Sequence, residues 1–427
     1  MAARGSLVAV SAEAAPARGQ RLAWRPEIAA AVCLAVLASF SSWSRSELTR
    51  TLLPNGDDVW FESDQPRIVA DMSDRRSDHY RSEVHPLFSL LTTPVVYVLG
   101  TTLHISPVQA IRLVVAATAA TWAITLFGLL RLLGLHRLIA VWFAVMGITT
   151  AAAVCWFAVP ETFALGAIGI MLALIVTALS SSRTVSAAVY TAVSAFTLSV
   201  TVTNWMAGIV MAAVALPPRQ AIRTSVKALG IVTAAWAVQK VFFRSVRFFV
   251  RSTHELKYVE PLSAYRLWQV IRAFFVHSVL APQFVIVDAG PYRSIPLKLV
   301  TQFSPIPSDP WALAGVFAWL GLLAIGAVAM VRMREHGRTR LSLAVILGGQ
   351  LALHVVYGNE TFLYSLHWVP LLVVVAALGT RTRARPIALG LAVVATIAML
   401  ITNTRRFDLA ATAAAGIMTR GGAVPTR

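Results

Sequence analysis

Between Asn55 and Phe88 the chain reads NGDDVWFESDQPRIVADMSDRRSDHYRSEVHPLF, a stretch crowded with carboxylates, arginines and histidines. Nine of the 19 acids in the whole protein fall between residues 44 and 88, from Glu47 to Glu83. Acids alone could serve only to keep a loop in water. Here they are interleaved with Trp60, Phe61, Ile68, Val69 and Tyr80, which points to a folded element lying at an apolar interface. His79, Arg81, Glu83 and His85 then arrive directly before an apolar run. Ionisable groups held at a membrane boundary are costly and are usually functional.

Three short turns repeat the pattern. Pro160-Glu161-Thr162 places a carboxylate at a helix start, where it could act chemically or simply complement the helix dipole. Thr203-Asn204-Trp205 offers an amide, a residue type also common as a cap. Glu360, Tyr364 and His367 are spaced by four and three, so on a helix they share one face, and a polar face on a membrane helix turns inward. The segment 244–309 carries Arg244, Arg247, Arg251, Lys257, Arg266, Arg272, Arg293 and Lys298 among aromatic residues such as Phe248, Tyr258, Tyr265 and Trp268. This pattern predicts amphipathic helices at the interface, whose arginines either adhere to the membrane surface or bind phosphate bidentately.

The elements that must position these groups are membrane helices. Of 427 residues 57% are apolar and 13% charged, and mean hydropathy is +0.70, which excludes a water-soluble domain. Applying the requirement of about 20 apolar residues per span gives eleven segments, near 26–43, 107–130, 138–157, 160–180, 184–201, 225–243, 310–331, 341–357, 362–380 and 386–403, with a short one near 204–217. The expected fold is therefore an all-α polytopic membrane protein. The net charge of +18 reflects sidedness and not nucleic acid. If the Thr-rich stretch 86–104 does not cross, one set of connectors holds thirteen basic residues against the single acid Glu335, while the short opposite turns hold none. The positive-inside rule then makes 86–104 a re-entrant or surface-lying helix. It places residues 1–25 in the cytoplasm and gives one membrane domain over 26–403. The loops 44–106 and 244–309 and a tail at 404–427 fall on the outer side, as expected of a multi-pass plasma-membrane protein. Cys33 and Cys155 both lie in apolar stretches and build neither a disulfide framework nor a metal motif. No P-loop, dinucleotide fingerprint, HExxH or GxSxG element is present.

An anchor helix, a long acidic outer loop and many spans joined by short turns resemble the GT-C superfold of membrane glycosyltransferases, which take sugar from a polyprenyl-phosphate carrier. At residue level the resemblance rests on Asp57-Asp58 and on His85-Pro86-Leu87, which is similar to the Lys/His-Pro-Pro-Leu element closing the first outer loop, with Leu87 replacing the second proline. It implies a first-loop carboxylate as general base, Asp58 ahead of Asp57 because Asp57 follows the Asn55-Gly56 turn, with Asp64 in reserve. It also implies His85 near the phosphate with Arg81 and His79 as helpers, and Arg251 and Arg266 as further phosphate contacts. The donor implied is a polyprenyl-phosphate sugar and the acceptor a cell-envelope glycan or lipid. Metal use varies within the superfold, so the resemblance leaves a divalent ion open. The main rival is a transporter or flippase for a lipid-linked glycan, although transporters usually show two related halves and no internal repeat is visible.

Overall fold

The computed structural model describes residues 18–55, 57–249, 254–289 and 295–421. In chain order the first part comprises helices α1 (Arg18–Leu48) and α2 (Leu52–Asn55), strands β1 (Asp57–Trp60) and β2 (Ser63–Asp64), α3 (Gln65–Ser73), a 3₁₀ turn Tyr80–Glu83 and α4 (Phe88–Leu103). Then come α5 (Pro107–Leu132), α6 (Arg137–Thr149), α7 (Ala151–Trp156), α8 (Phe163–Leu179), α9 (Ala187–Val200), α10 (Trp205–Ala215) and α11 (Pro218–Phe242). The remainder holds α12 (Ala264–Arg272), strands β3 (Val285–Asp288) and β4 (Leu297–Val300), α13 (Pro310–Arg332), α14 (Gly337–Val356), a 3₁₀ helix Thr361–His367, α15 (Val369–Leu378) and α16 (Arg385–Gly421).

Six of the described helices are long and apolar enough to cross a membrane, in α1, α5, α11, α13, α14 and α16. Thr361–His367 with Val369–Arg381, bent by 57°, makes up to seven. The protein is thus a mainly helical membrane protein. All eleven apolar segments contain helix, but several are short, α6 having 13 residues and α10 having 11. The helical expectation holds, and the few strands form two antiparallel two-stranded sheets, β1–β2 and β3–β4, in the long polar segments. Helix α16 continues to Gly421, into the expected 404–427 tail.

The expected span 138–157 breaks at Thr150 into α6 and α7. In a lipid environment every freed backbone group needs a partner, and several here find one across the bundle. Thr150 Oγ1 caps α7 through Ala153 N, and the amides of Ala151 and Ala152 donate to Val279 O (3.0 Å) and Ser278 O (2.9 Å). Asn403 Nδ2 donates to Thr149 O (2.7 Å) and Val279 O (2.8 Å), while its Oδ1 accepts from Ala281 N (2.8 Å). Asn403→Leu is expected to cost about 1–3 kcal/mol by orphaning buried groups, read as a lowered midpoint of thermal unfolding in detergent.

Contacts at the helix ends order the bundle. Arg112 of α5 pairs with Glu47 (2.7 Å) and donates to Ser46 (2.9 Å) at the end of α1, while Arg131 at the far end of α5 pairs with Glu27 (2.8 Å). Arg381 meets Leu133 O (2.6 Å) and Glu335, so the basic connectors 131–137, 332–338 and 379–385 gather at one end. The acidic segment lies at the other. Leu90 N, in the first turn of α4, donates to Gln239 Oε1 (3.0 Å) near the end of α11, and α5 begins at that same end. Helix α4 therefore starts and finishes at the acidic end. Its 16 residues give about 24 Å, short of the roughly 30 Å apolar thickness of a bilayer.

Candidate active site

The hairpin β1–β2 sets the site. Trp60 pairs with Ser63, so Phe61 and Glu62 form a two-residue turn, with φ of +50° and +64°. A turn left-handed at both central residues normally takes Asn-Gly, and a bulky residue there costs on the order of 1–3 kcal/mol. Packing and charge offset that cost. The Phe61 ring meets Trp60, Phe362 and Trp156 at centroid distances of 5.0, 5.5 and 6.2 Å, and Glu62 pairs with Lys298 Nζ at 2.6 Å. Asp57 pairs with Asp64, which leaves Asp58 and Val59 unopposed, a bulge in which Asp58 has φ +59°. Such bulges re-aim a side chain. On the far side Trp60 rests edge-on against Phe407 of α16 at 5.6 Å.

Asp58 lines a cavity of about 280 Å³ at the acidic end, together with the carboxylates of Glu62, Asp64, Glu161 and Glu360 and the cations Arg67, Arg81, Lys257 and Lys298. His85, Tyr80, Tyr258, Asn359 and Tyr364 complete the polar wall. Asp64 caps α3, accepting from Arg67 N (3.3 Å) and from Arg67 Nε (2.8 Å). Arg67 also reaches Asp71 (2.9 Å), whose other oxygen lies 3.0 Å from His79 Nδ1. The His85 segment is tied to the end of α9 by Leu87 N to Ser199 O (2.9 Å) and Val202 N to Val84 O (2.9 Å). Glu360 accepts from Thr301 N and Oγ1 (both 2.7 Å) and Gln302 N (3.0 Å), which fixes the end of β4 to the 3₁₀ helix Thr361–His367.

Burial decides the charge states. His85 Nδ1 donates to Val200 O at 2.9 Å, which leaves Nε2 as acceptor, and burial with Arg81 and Arg67 nearby holds the ring well below the ordinary histidine range. It is a neutral group and not a cation. Burial pushes Glu161 up to about 7, against the pull of Arg67, and pushes Glu360 up to about 7, against its bonds from Thr301. Glu161 keeps some exposure because it borders the cavity, while protein surrounds its carboxyl. Both acids are raised, so the stability they contribute is complete below about pH 4.3, their ordinary value, and fades as pH rises through about 7. Ionised Glu161 also adds negative charge to the cavity. The affinity for an anionic ligand should therefore fall about tenfold as pH rises through the Glu161 transition, and Glu161→Gln should flatten that profile in a binding titration.

The cavity brings together Asp58, Asp64, Arg81, His85, Glu161, Glu360 and Tyr364 of the residues expected from sequence. It leaves out four. His79 is buried behind α3, between Asp71, Ser89 Oγ (2.9 Å) and the Phe243 ring. Arg266, expected on phosphate, is buried with its guanidinium Nη2 on two backbone carbonyls, His354 O (3.1 Å) and Gly358 O, and it lies outside this cavity. The shared helical face of Glu360, Tyr364 and His367 is corrected as well. Glu360 caps the 3₁₀ helix, and His367 turns into the bundle to meet Asn204 (3.2 Å), whose Oδ1 accepts from Gln350 (3.2 Å). Gly166 permits that pair, since a Cβ there would sit 2.5 Å from Asn204 Nδ2. Arg251 and the side chain of Asp57 lie outside the described residues.

Sequence reasoning misses Glu62, Arg67, Lys257, Tyr258 and Lys298 as lining residues. The spacing of Asp64, Arg67 and Asp71 was the available signal for Arg67; the Glu62–Lys298 pair spans 236 positions and leaves none. No family model, curated protein or solved structure matches this chain. Among the described residues no three His, Cys, Asp or Glu side chains gather as a metal ion would require.

Proposed function

We propose that the protein is an integral-membrane glycosyltransferase, moving a sugar from a polyprenyl-phosphate carrier to an acceptor hydroxyl at the outer face of the plasma membrane. The observation that carries this reading is the mixed cavity at the acidic end of the bundle, where Asp58 stands on a strained bulge opposite Arg81, Lys257 and Lys298. The basic connectors gathered at the opposite end support an outer placement by the positive-inside rule.

Such a transfer needs a base and a phosphate clamp. Asp58 takes the acceptor proton while the acceptor oxygen bonds to the sugar C1. The bond from C1 to the phosphate oxygen breaks, and its electron pair leaves on the phosphate. The carrier phosphate gains a second negative charge in that step, and Arg81, Lys257 and Lys298 stabilise it as it develops. Neutral His85 borders the same space without repelling it, and Glu161 does so while it is protonated, below about pH 7. A lipid-borne donor is supported by a second, apolar cavity of about 810 Å³ beside α4, walled by Leu90, Val96, Tyr97, Ile105, Phe242 and Phe243. All steps use side chains of this chain and none is routed through a metal.

The test is product formation in membranes from radiolabelled polyprenyl-phosphate sugars. Label passing to an acceptor with the protein, and not without it, is the expected result. Donor that crosses the bilayer intact, with no new glycosidic bond, would replace this reading by that of a flippase.

A further inference from the structure

A polar cavity of about 530 Å³ lies beside the candidate active site. The two spaces share Glu62, Lys298 and Asn359, so the Glu62–Lys298 ion pair (2.6 Å) is their common wall. The floor of the second cavity is formed by α12 and the end of β4. Two glutamines on it, Gln269 and Gln302, are each only 4% exposed, and the Nε2 of each finds no partner among the described residues. Gln302 Oε1 accepts from Thr361 N at 3.0 Å, which fixes its amide orientation and leaves the NH₂ as the unused group. Buried amide donors without partners cost on the order of 1–3 kcal/mol each. An acceptor oxygen on a bound ligand would satisfy them.

The rest of the wall specifies what that ligand is. Glu260 and Asp288 offer carboxylate acceptors, and Tyr265, 63% exposed, presents an aromatic face at the rim. Carboxylates paired with amide donors recognise vicinal hydroxyls, each of which donates once and accepts, and an aromatic face takes the C–H side of a sugar ring. A phosphate would meet three carboxylates here, Glu62, Glu260 and Asp288, against Lys298, which is paired with Glu62, and Arg266, whose Nη2 bonds two carbonyls.

We infer that this second cavity is the acceptor subsite and binds a neutral glycosyl unit through Gln269, Gln302 and Tyr265. The inference rests on the glycosyl-transfer reading for its role, and on the orphaned amides for its chemistry. The reacting hydroxyl reaches Asp58 across the Glu62–Lys298 wall, so the pair also sets how deep the acceptor sits. Glu360 ties the two spaces together, since the Thr301 and Gln302 amides that it holds belong to the strand end that forms this floor.

The experiment uses the full chain in lipid nanodiscs and a set of neutral trisaccharides of mannose, glucose, galactose and arabinose, with binding followed by saturation-transfer NMR. Wild type should bind at least one of them. Gln269→Ala and Tyr265→Ala should each weaken that binding about tenfold or more, and Asp58→Asn should retain it. Absence of binding to every trisaccharide overturns the inference, as does an equal loss in Asp58→Asn, which would place the sugar in the first cavity. Circular dichroism and thermal midpoint matching wild type show that the variants are folded; Tyr265→Ala, at an exposed rim, provides a variant whose loss of binding cannot arise from a collapsed core. The donor-labelling assay of the proposed function is separate, so a protein that binds glycans without transferring sugar refutes the transfer reading alone.

Discussion

Asp58→Asn protein is expected to express and insert as wild type does while its transfer of labelled sugar falls by about 10²–10⁴, the range for loss of a general base. The substitution keeps the shape of the side chain and its tolerance of left-handed backbone, since Asn and Asp share that tolerance. The bulge at φ +59° therefore remains, and what is lost is the ability to accept a proton. Asp64 holds Arg67 Nε at 2.8 Å and caps α3, a structural role of its own. Single-turnover measurement with saturating donor separates this from weaker binding. Full activity in Asp58→Asn would remove the assignment of the base and leave Glu161, whose carboxyl titrates near 7, as its replacement.

Arg67→Leu is expected to destabilise the protein by about 3 kcal/mol, because removing one member of a buried charge network strands the others. Arg67 is 13% exposed in its side chain and bridges Asp64 and Asp71, the latter 5% exposed. Burial alone would lower its guanidinium, yet Asp64, Asp71 and Glu161 outweigh that and hold it above the ordinary arginine range. A double-mutant cycle with Asp71→Asn checks the mechanism. The thermal midpoint of the pair should lie above that of Arg67→Leu, since neutralising Asp71 removes the stranded charge. Additive losses would mean that Arg67 acts through packing of its aliphatic stem.

Much of the site is legible in the sequence, for a physical reason. Asp58 is marked only by the family resemblance, whereas Arg81, His85 and Glu161 stand next to apolar runs, so the cost of holding charge at that boundary marks them without any contact map. Glu360 is marked in the same way, but its spacing to Tyr364 and His367 misleads, because the tighter 3₁₀ winding of Thr361–His367 and the bend after it send His367 elsewhere. The hairpin is illegible for the opposite reason. Phe61-Glu62 is poor turn chemistry, and only the ring cluster and Lys298, supplied from far along the chain, make it the best available conformation. Arg266 shows the limit of charge patterning, since composition marks a cation but cannot say that two carbonyls have already claimed it.

The packing of Phe407 behind Trp60 has a bearing on when the protein first becomes competent. Helix α16 is about 55 Å long, more than a bilayer's apolar thickness, and its latter part touches α2, β1 and β4. A ribosome making roughly 5–20 residues per second emits the acidic hairpin several tens of seconds before residue 407. Throughout that interval the Asp58 bulge lacks its backing, and until Lys298 emerges Glu62 lacks its counter-charge. The nascent chain is thus inserted span by span with the hairpin unsupported, and the bulge gains its backing only when α16 joins the bundle.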